Sequence, residues 1–294
     1  MCPYVIDDIL SSYSLMLVLG IFAALGLFKL LCHLTRLNKE AYDFYSTTGV
    51  FAIAVGLCSA FLFQSVYNFF ETGEFKFEGL TFMGGLIGGV LTFVLITIFT
   101  KKKHIRAQFF TVAEIAVPCI VVAHAIGRIG CFLAGCCYGI ESEHGILFPG
   151  MTKKVIPTQL YESIFLFILL AVMLLIILKF KKIRGFNLIT YAFAYSIFRF
   201  IIEFYRGDPR GAFIGPFSPS QFQSIILFIV GCALLFLRLK RPDIYLPTPV
   251  YDTPKESEKS ETVEENETKT TDENIEKAVE NDTVENKQTD EKTE

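Results

Sequence analysis

A chain of 294 residues that is 52% hydrophobic, with 30 Phe, no Trp and a mean hydropathy of +0.46, is too apolar for a soluble domain and reads as a polytopic membrane protein. Its net charge of -3 conceals a division, because residues 251–294 hold 16 Asp/Glu against 6 Lys while the remainder is basic. Residues 1–245 are therefore expected to form the membrane body and 246–294 an acidic cytoplasmic tail, too poor in large apolar groups to order itself.

Asp7 and Asp8 stand where a cleaved leader carries its basic residues, so the first apolar segment is expected to be a permanent span. Seven segments approach the ~20 residues that a helical crossing needs: 14–34, 45–63, 79–99, 110–126, 158–178, 186–204 and 220–237. An all-α bundle of seven transmembrane helices follows. Basic residues gather after the first, third, fifth and seventh spans, at Arg36 and Lys39, Lys101 to Arg106, Lys179 to Arg184, and Arg238 to Arg241. The positive-inside rule then puts the N-terminus outside and the C-terminus inside.

The third span opens with Gly84, Gly85, Gly88 and Gly89. Small residues at this density let helices approach closely in lipid, or leave a notch for a ligand at the outer end; the pattern supports both readings. The fourth span carries Glu114 and, near its outer end, His124 and Arg128, four residues apart and so on one helical face. From Gly127 the segment is expected to turn, with Cys131, Cys136 and Cys137 in the turn. The run His124-x6-Cys131-x4-Cys136-Cys137 is not read as a structural zinc site. A disulfide among these three cysteines is the more plausible pairing on an oxidising side. Cys2, Cys32, Cys58, Cys119 and Cys232 stand singly and behave as small hydrophobes.

The fifth span begins Pro157-Thr-Gln159-Leu-Tyr161-Glu162, polar at its outer end, and proline suits a helix start. In the sixth, Tyr195, Arg199, Glu203 and Arg206 step by four, four and three, which sets them on one stripe. Ionisable groups inside a membrane segment are costly without a partner or a use. Gly207-Asp-Pro-Arg210 reads as a turn, and Ser218-Pro219-Ser220 as the cap of the last helix.

Arg128, Arg199 and Arg206 supply planar donor pairs suited to phosphate oxygens, and the nearest phosphates in a membrane are lipid headgroups. A site that clamps a phosphodiester can stabilise it as a leaving group if a nucleophile is positioned, with His124, Glu203, Tyr195 and Glu162 available to assist. No phosphate-binding loop, dinucleotide fingerprint or Ser-His-Asp order is present. No cofactor, metal or nucleic-acid partner is expected.

Over residues 10–240 the sequence resembles the prolipoprotein diacylglyceryl transferase family. The resemblance rests on Met83-Gly-Gly-Leu86, Glu114, Gly127-Arg-Ile-Gly-Cys-Phe132, Pro157-Thr-Gln-Leu-Tyr-Glu162 and Phe198-Arg-Phe-Ile-Ile-Glu-Phe-Tyr-Arg206. It implies a bacterial inner-membrane enzyme that moves diacylglycerol from phosphatidylglycerol to the lipobox cysteine of preprolipoproteins, releasing glycerol phosphate, at a site open to the extracytoplasmic side. On that basis Arg128, Arg199, Glu203 and His124 are expected to be catalytic. Arg128, Arg206, Tyr195, Gly84, Gly85, Gln159, Tyr161 and Glu162 are expected to bind substrate.

Three departures set the chain apart. The family's usual histidine before Gly-Gly-Leu is Met83, its asparagine after Gly-Arg-x-Gly is Cys131, and a downstream glutamate is Cys136. The segment from Tyr138 to Ile156 is also short. Two alternatives follow: a non-catalytic protein that binds anionic lipid on the same scaffold, or a related transferase with a different acceptor.

Overall fold

The structure is a computed structural model that describes residues 4–6, 10–73, 82–179, 185–207 and 217–241. The expected acidic tail and Asp208 to Arg210 of the expected turn lie outside them. A short antiparallel pair, β1 (Tyr4–Ile6) and β2 (Leu10–Ser11), leads into α1 (Ser12–Leu34), whose cap Ser11 accepts from Ser14 N. Next come α2 (Lys39–Thr72), α3 (Phe82–Phe99), the short α4 (Lys103–Ala107) and α5 (Phe109–Ala134). A head segment containing β3 (Glu141–Ile146) leads to α6 (Thr158–Leu178), α7 (Asn187–Ile202) with a 3-10 turn at Glu203–Tyr205, and α8 (Pro219–Lys240).

The fold is mostly helical. Among the described residues six helices are long and apolar enough to cross a membrane, and a shorter apolar run, Gly84–Phe99, lies in α3. Their outward faces carry large apolar side chains such as Phe22, Ile168 and Ile229, at 60% exposure or more, which water would penalise and lipid accepts.

Two differences from the expected elements matter. The fourth span does not turn at Gly127 but stays helical to Ala134, so Arg128 and Cys131 stand on α5 itself. The helix tolerates Gly130 because α1 packs there, with Met16 Cβ 2.9 Å from where a side chain at Gly130 would begin; it stops at Gly135, which takes the left-handed φ of 70°. The basic connection after the third span is also not a plain loop, since α4 is helical and its Ile105 carbonyl accepts from the buried Tyr45 hydroxyl at 2.9 Å.

The glycines of α3 lie against α2. A side chain at Gly84 would meet Phe63, one at Gly85 would meet Ala60, and Ser59 Oγ donates to Gly84 O at 2.9 Å. Close helix packing accounts for them. α5 is the central element, pairing with α1 on one side and α6 on the other. Val117, Val121 and Ala125 from α5, Leu166, Leu169 and Met173 from α6, and Tyr195 from α7 form one buried cluster.

Glu114 anchors the start of α7 to α5. Its carboxylate accepts from Asn187 N at 2.8 Å and Leu188 N at 3.1 Å, two of the donors that a helix start leaves without internal partners. This ties the first turn of α7 to α5.

Candidate functional site

Near the other end of α7, five charged side chains and a histidine converge from three helices and the turn after α7. Glu162, 1% exposed, is the hub. Its Oε2 lies 3.1 Å from Arg128 Nε and 3.7 Å from Arg199 Nη1; its Oε1 accepts from Tyr195 OH at 2.9 Å and faces His124 Nε2 at 3.6 Å. Glu203 is the second acid, with Oε2 at 2.9 Å from Arg199 Nη2 and 4.0 Å from Arg206 Nε.

Each neighbour is held in turn. Arg128 Nε donates to His124 Nε2 at 3.3 Å, the one-turn spacing expected of that pair. The His124 ring meets Tyr195 edge to face at 5.2 Å, and Tyr191 stacks on Tyr195. Arg199 Nη2 also donates to Ser220 Oγ at 2.8 Å, and Ser218 Oγ donates to Glu203 at 2.8 Å. The start of α8 thus closes the cluster. Ser218 and Ser220 were legible only as a helix cap, and that cap is present, with Ser218 and Gln221 bonding reciprocally.

The other expected residues occupy different places. Gln159 Nε2 donates to the Cys136 carbonyl at 2.6 Å and Thr158 Oγ1 to the Cys137 carbonyl at 2.9 Å, so this end of α6 pins the cysteine turn. Tyr161 is 48% exposed on α6. Gly84 and Gly85 have their near contacts with α2. Cys131, Cys136 and Cys137, for which a disulfide was only the more plausible pairing, are free thiols whose sulfurs lie within 4.8 Å of one another. Cys136 Sγ donates to the Cys131 carbonyl at 3.6 Å, and the neighbouring Cys131 and Cys136 thiols, with the Arg206 guanidinium, hold the Cys137 thiol below its ordinary range.

Arg206 reaches this turn through the backbone. Tyr138 to Ile140 lies between two other segments: Gly139 N donates to Ile156 O and Ile140 N to Tyr205 O, at 2.8 and 2.9 Å, while Gly207 N donates to Tyr138 O at 3.3 Å. The exit of α5, the entry to α6 and the exit of α7 are thereby stitched together.

Three arginines gathered around two glutamates make this buried cluster rich in planar donor pairs, the kind of group that binds phosphate oxygens. Residues 6–237 match the family model described as prolipoprotein diacylglyceryl transferase. The chain belongs to the prolipoprotein diacylglyceryl transferase family. A phosphatidylglycerol–prolipoprotein diacylglyceryl transferase of Clostridium tetani is 32% identical over 230 residues, covering 74% of this chain and 89% of that protein. One from Clostridioides difficile is 38% identical over 191 residues, 62% of this chain and 73% of the relative. Phosphatidylglycerol–prolipoprotein diacylglyceryl transferase 2 of Clostridium perfringens is 40% identical over 164 residues, 53% of this chain and 61% of that protein's length. As a member of this family the chain is a transferase of lipoprotein biosynthesis.

Proposed function

We propose that the cluster of Arg128, Arg199, Arg206, Glu162 and Glu203 is the active site at which this transferase moves diacylglycerol from phosphatidylglycerol to the lipobox cysteine thiol of preprolipoproteins. The observation that carries the proposal is Arg199. It is 7% exposed, and its Nη1 makes no hydrogen bond among the described residues, although a buried charged donor ordinarily finds an acceptor. A phosphate oxygen supplies one.

The acceptor thiol gives its proton to water, its sulfur attacks the glycerol carbon that bears the phosphate ester, a C–S bond forms, and the C–O bond breaks with its electron pair left on glycerol phosphate. The leaving phosphate gains negative charge as that bond breaks. Arginines already fixed by Glu162 and Glu203 meet this charge without reorganising, which is where preorganised electrostatics lowers a barrier. Glu162 and Tyr195 act as positioning groups: they orient Arg128 and Arg199 and do not touch the reacting atoms. His124, committed to Arg128, serves in the same way.

The reading also includes a seventh crossing through α3, the N-terminus outside and the C-terminus inside, in the bacterial cytoplasmic membrane with the arginine cluster on the extracytoplasmic side. The basic residues after the first, third, fifth and seventh segments support it.

The test is mass spectrometry of a synthetic lipobox peptide incubated with the purified protein and phosphatidylglycerol in detergent. A diacylglyceryl mass gain on the peptide cysteine, absent with Arg128→Ala, Arg199→Ala or a thiol-blocked peptide, is the expected result. Phosphatidylglycerol binding with no gain on the peptide favours the lipid-binding scaffold, a reading that Met83 and Cys131 motivate.

A further inference from the structure

The three thiols beside the arginine cluster have no part in the reaction so far. Cys131 stands on the last full turn of α5, one turn beyond Arg128, and is buried; Cys136 and Cys137 follow the helix stop at Gly135. The four residues between Cys131 and Cys136 complete the helical turn and reverse the chain, which returns both later sulfurs to the first. All three lie within 4.8 Å of one another, and sulfurs bound to a tetrahedral zinc ion at ~2.3 Å stand about 3.8 Å apart. Side-chain motions of under about 1 Å close that gap.

The turn is held in this shape by groups other than the sulfurs. Gln159 and Thr158 fix the carbonyls of Cys136 and Cys137, and Cys137 adopts a φ of 67°, a left-handed conformation that a non-glycine residue keeps only when its surroundings impose it. A disulfide uses two sulfurs and strands the third, and adjacent Cys136 and Cys137 have Cα atoms closer together than an unstrained bridge prefers. A single thiophilic ion uses all three. Three thiolates around a divalent ion carry one net negative charge, and Arg206 stands beside Cys137 to meet it.

The charged groups of the cluster are committed to one another. Glu162 is committed to Arg128, Arg199 and Tyr195, Glu203 to Arg199 and Ser218, and His124 Nε2 to Arg128. A metal-bound thiol needs no base from among them, because coordination itself releases the proton. We propose that Cys131, Cys136 and Cys137 bind one thiophilic divalent cation of the zinc class and leave a fourth coordination position for the acceptor thiol.

The second half of this proposal rests on the transfer reaction described above. On entering the fourth position the thiol gives its proton to water and binds as thiolate, since coordination deprotonates a thiol outright. Its sulfur then forms the C–S bond as the C–O bond of the lipid breaks, and the electron pair departs on glycerol phosphate. The product thioether is neutral and a weaker ligand, so it leaves the ion. No oxidant or reductant is consumed.

The test uses the full chain in detergent, stripped of metal and kept reduced with a phosphine, titrated with Zn2+ against a chromophoric chelator. One ion per chain is expected. Cys131→Ser, Cys136→Ser and Cys137→Ser should each weaken binding by more than the ~10–100-fold that losing an outer-shell partner costs. Cys58→Ser and Cys232→Ser, at exposed thiols on α2 and α8, should leave it unchanged. Absence of stoichiometric zinc, or undiminished binding in the Cys136→Ser/Cys137→Ser double variant, overturns the site. So does a thiol count showing two of the three oxidised as purified, with no zinc taken up after reduction.

Peptide transfer is measured on the same samples. Transfer lost on chelation and restored by Zn2+ supports the open position, and transfer indifferent to chelation overturns that role. Zinc bound by the three cysteines with no transfer in any sample leaves the metal site standing and overturns the reaction assigned to the cluster.

Discussion

Two glutamates are buried at opposite ends of α7, and they are satisfied by different kinds of partner. Glu114 accepts from the backbone N–H groups of Asn187 and Leu188, which cannot leave without unwinding the helix. Glu162 is satisfied by the side chains of Arg128, Arg199 and Tyr195, and Arg199 keeps Nη1 without a hydrogen bond among the described residues. Burying either acid is costly without such partners. Only the second acid holds cations in place with donors left over for another anion.

The largest expected effect is at those cations. Arg128→Ala and Arg199→Ala should each lower peptide transfer by about 10²–10³-fold or more, the scale of losing a preorganised donor to developing charge. Glu162→Gln should follow closely, because it keeps the shape of the hub while releasing both arginines, and the chain should still purify folded. Glu114→Gln is its counterpart: presenting an amide donor to a backbone N–H should cost about 1–3 kcal/mol of thermal stability, with transfer per folded molecule unchanged. If Glu114→Gln removed transfer from a fully folded protein, the contrast between the two acids would collapse.

Gly88→Ala, whose new methyl would meet the Ser59 side chain, should destabilise the α2–α3 seam by about 1–3 kcal/mol and leave phosphatidylglycerol affinity as it was. Tyr195→Phe should be the smallest, removing one hydrogen bond to Glu162 worth about 1 kcal/mol, read as a several-fold fall in transfer without loss of lipid binding.

Much of the site was legible because its residues obey helical spacing. Tyr195, Arg199 and Glu203 step by four, and His124 with Arg128 does the same, so spacing alone sets each group on one face. Local spacing could not show what pairs across helices. That Glu114 would cap residues 187 and 188, or that Glu162 rather than Glu203 would be the hub, depends on chain segments far apart in sequence. The end of α5 was misjudged for a related reason. Gly127 and Gly130 look like helix breakers in isolation, but tight packing on α1 outweighs the propensity cost of Gly130. Once the helix runs on to Ala134, the three cysteines are no longer strung along a loop but folded back upon one another.

The backbone stitch at Tyr138 to Ile140 has a consequence for how such a sequence can drift. Its register is written in peptide groups, which every residue except proline provides, so these hydrogen bonds do not depend on which side chains Tyr138, Ile140 and Tyr205 carry. The exceptions are Gly139 and Gly207. They face each other so closely that a methyl on either would strike the opposing backbone, at Tyr205 O from the first and Gly139 O from the second. Side chains along the clasp can thus change, whereas any side chain at all at these two positions would pry it apart.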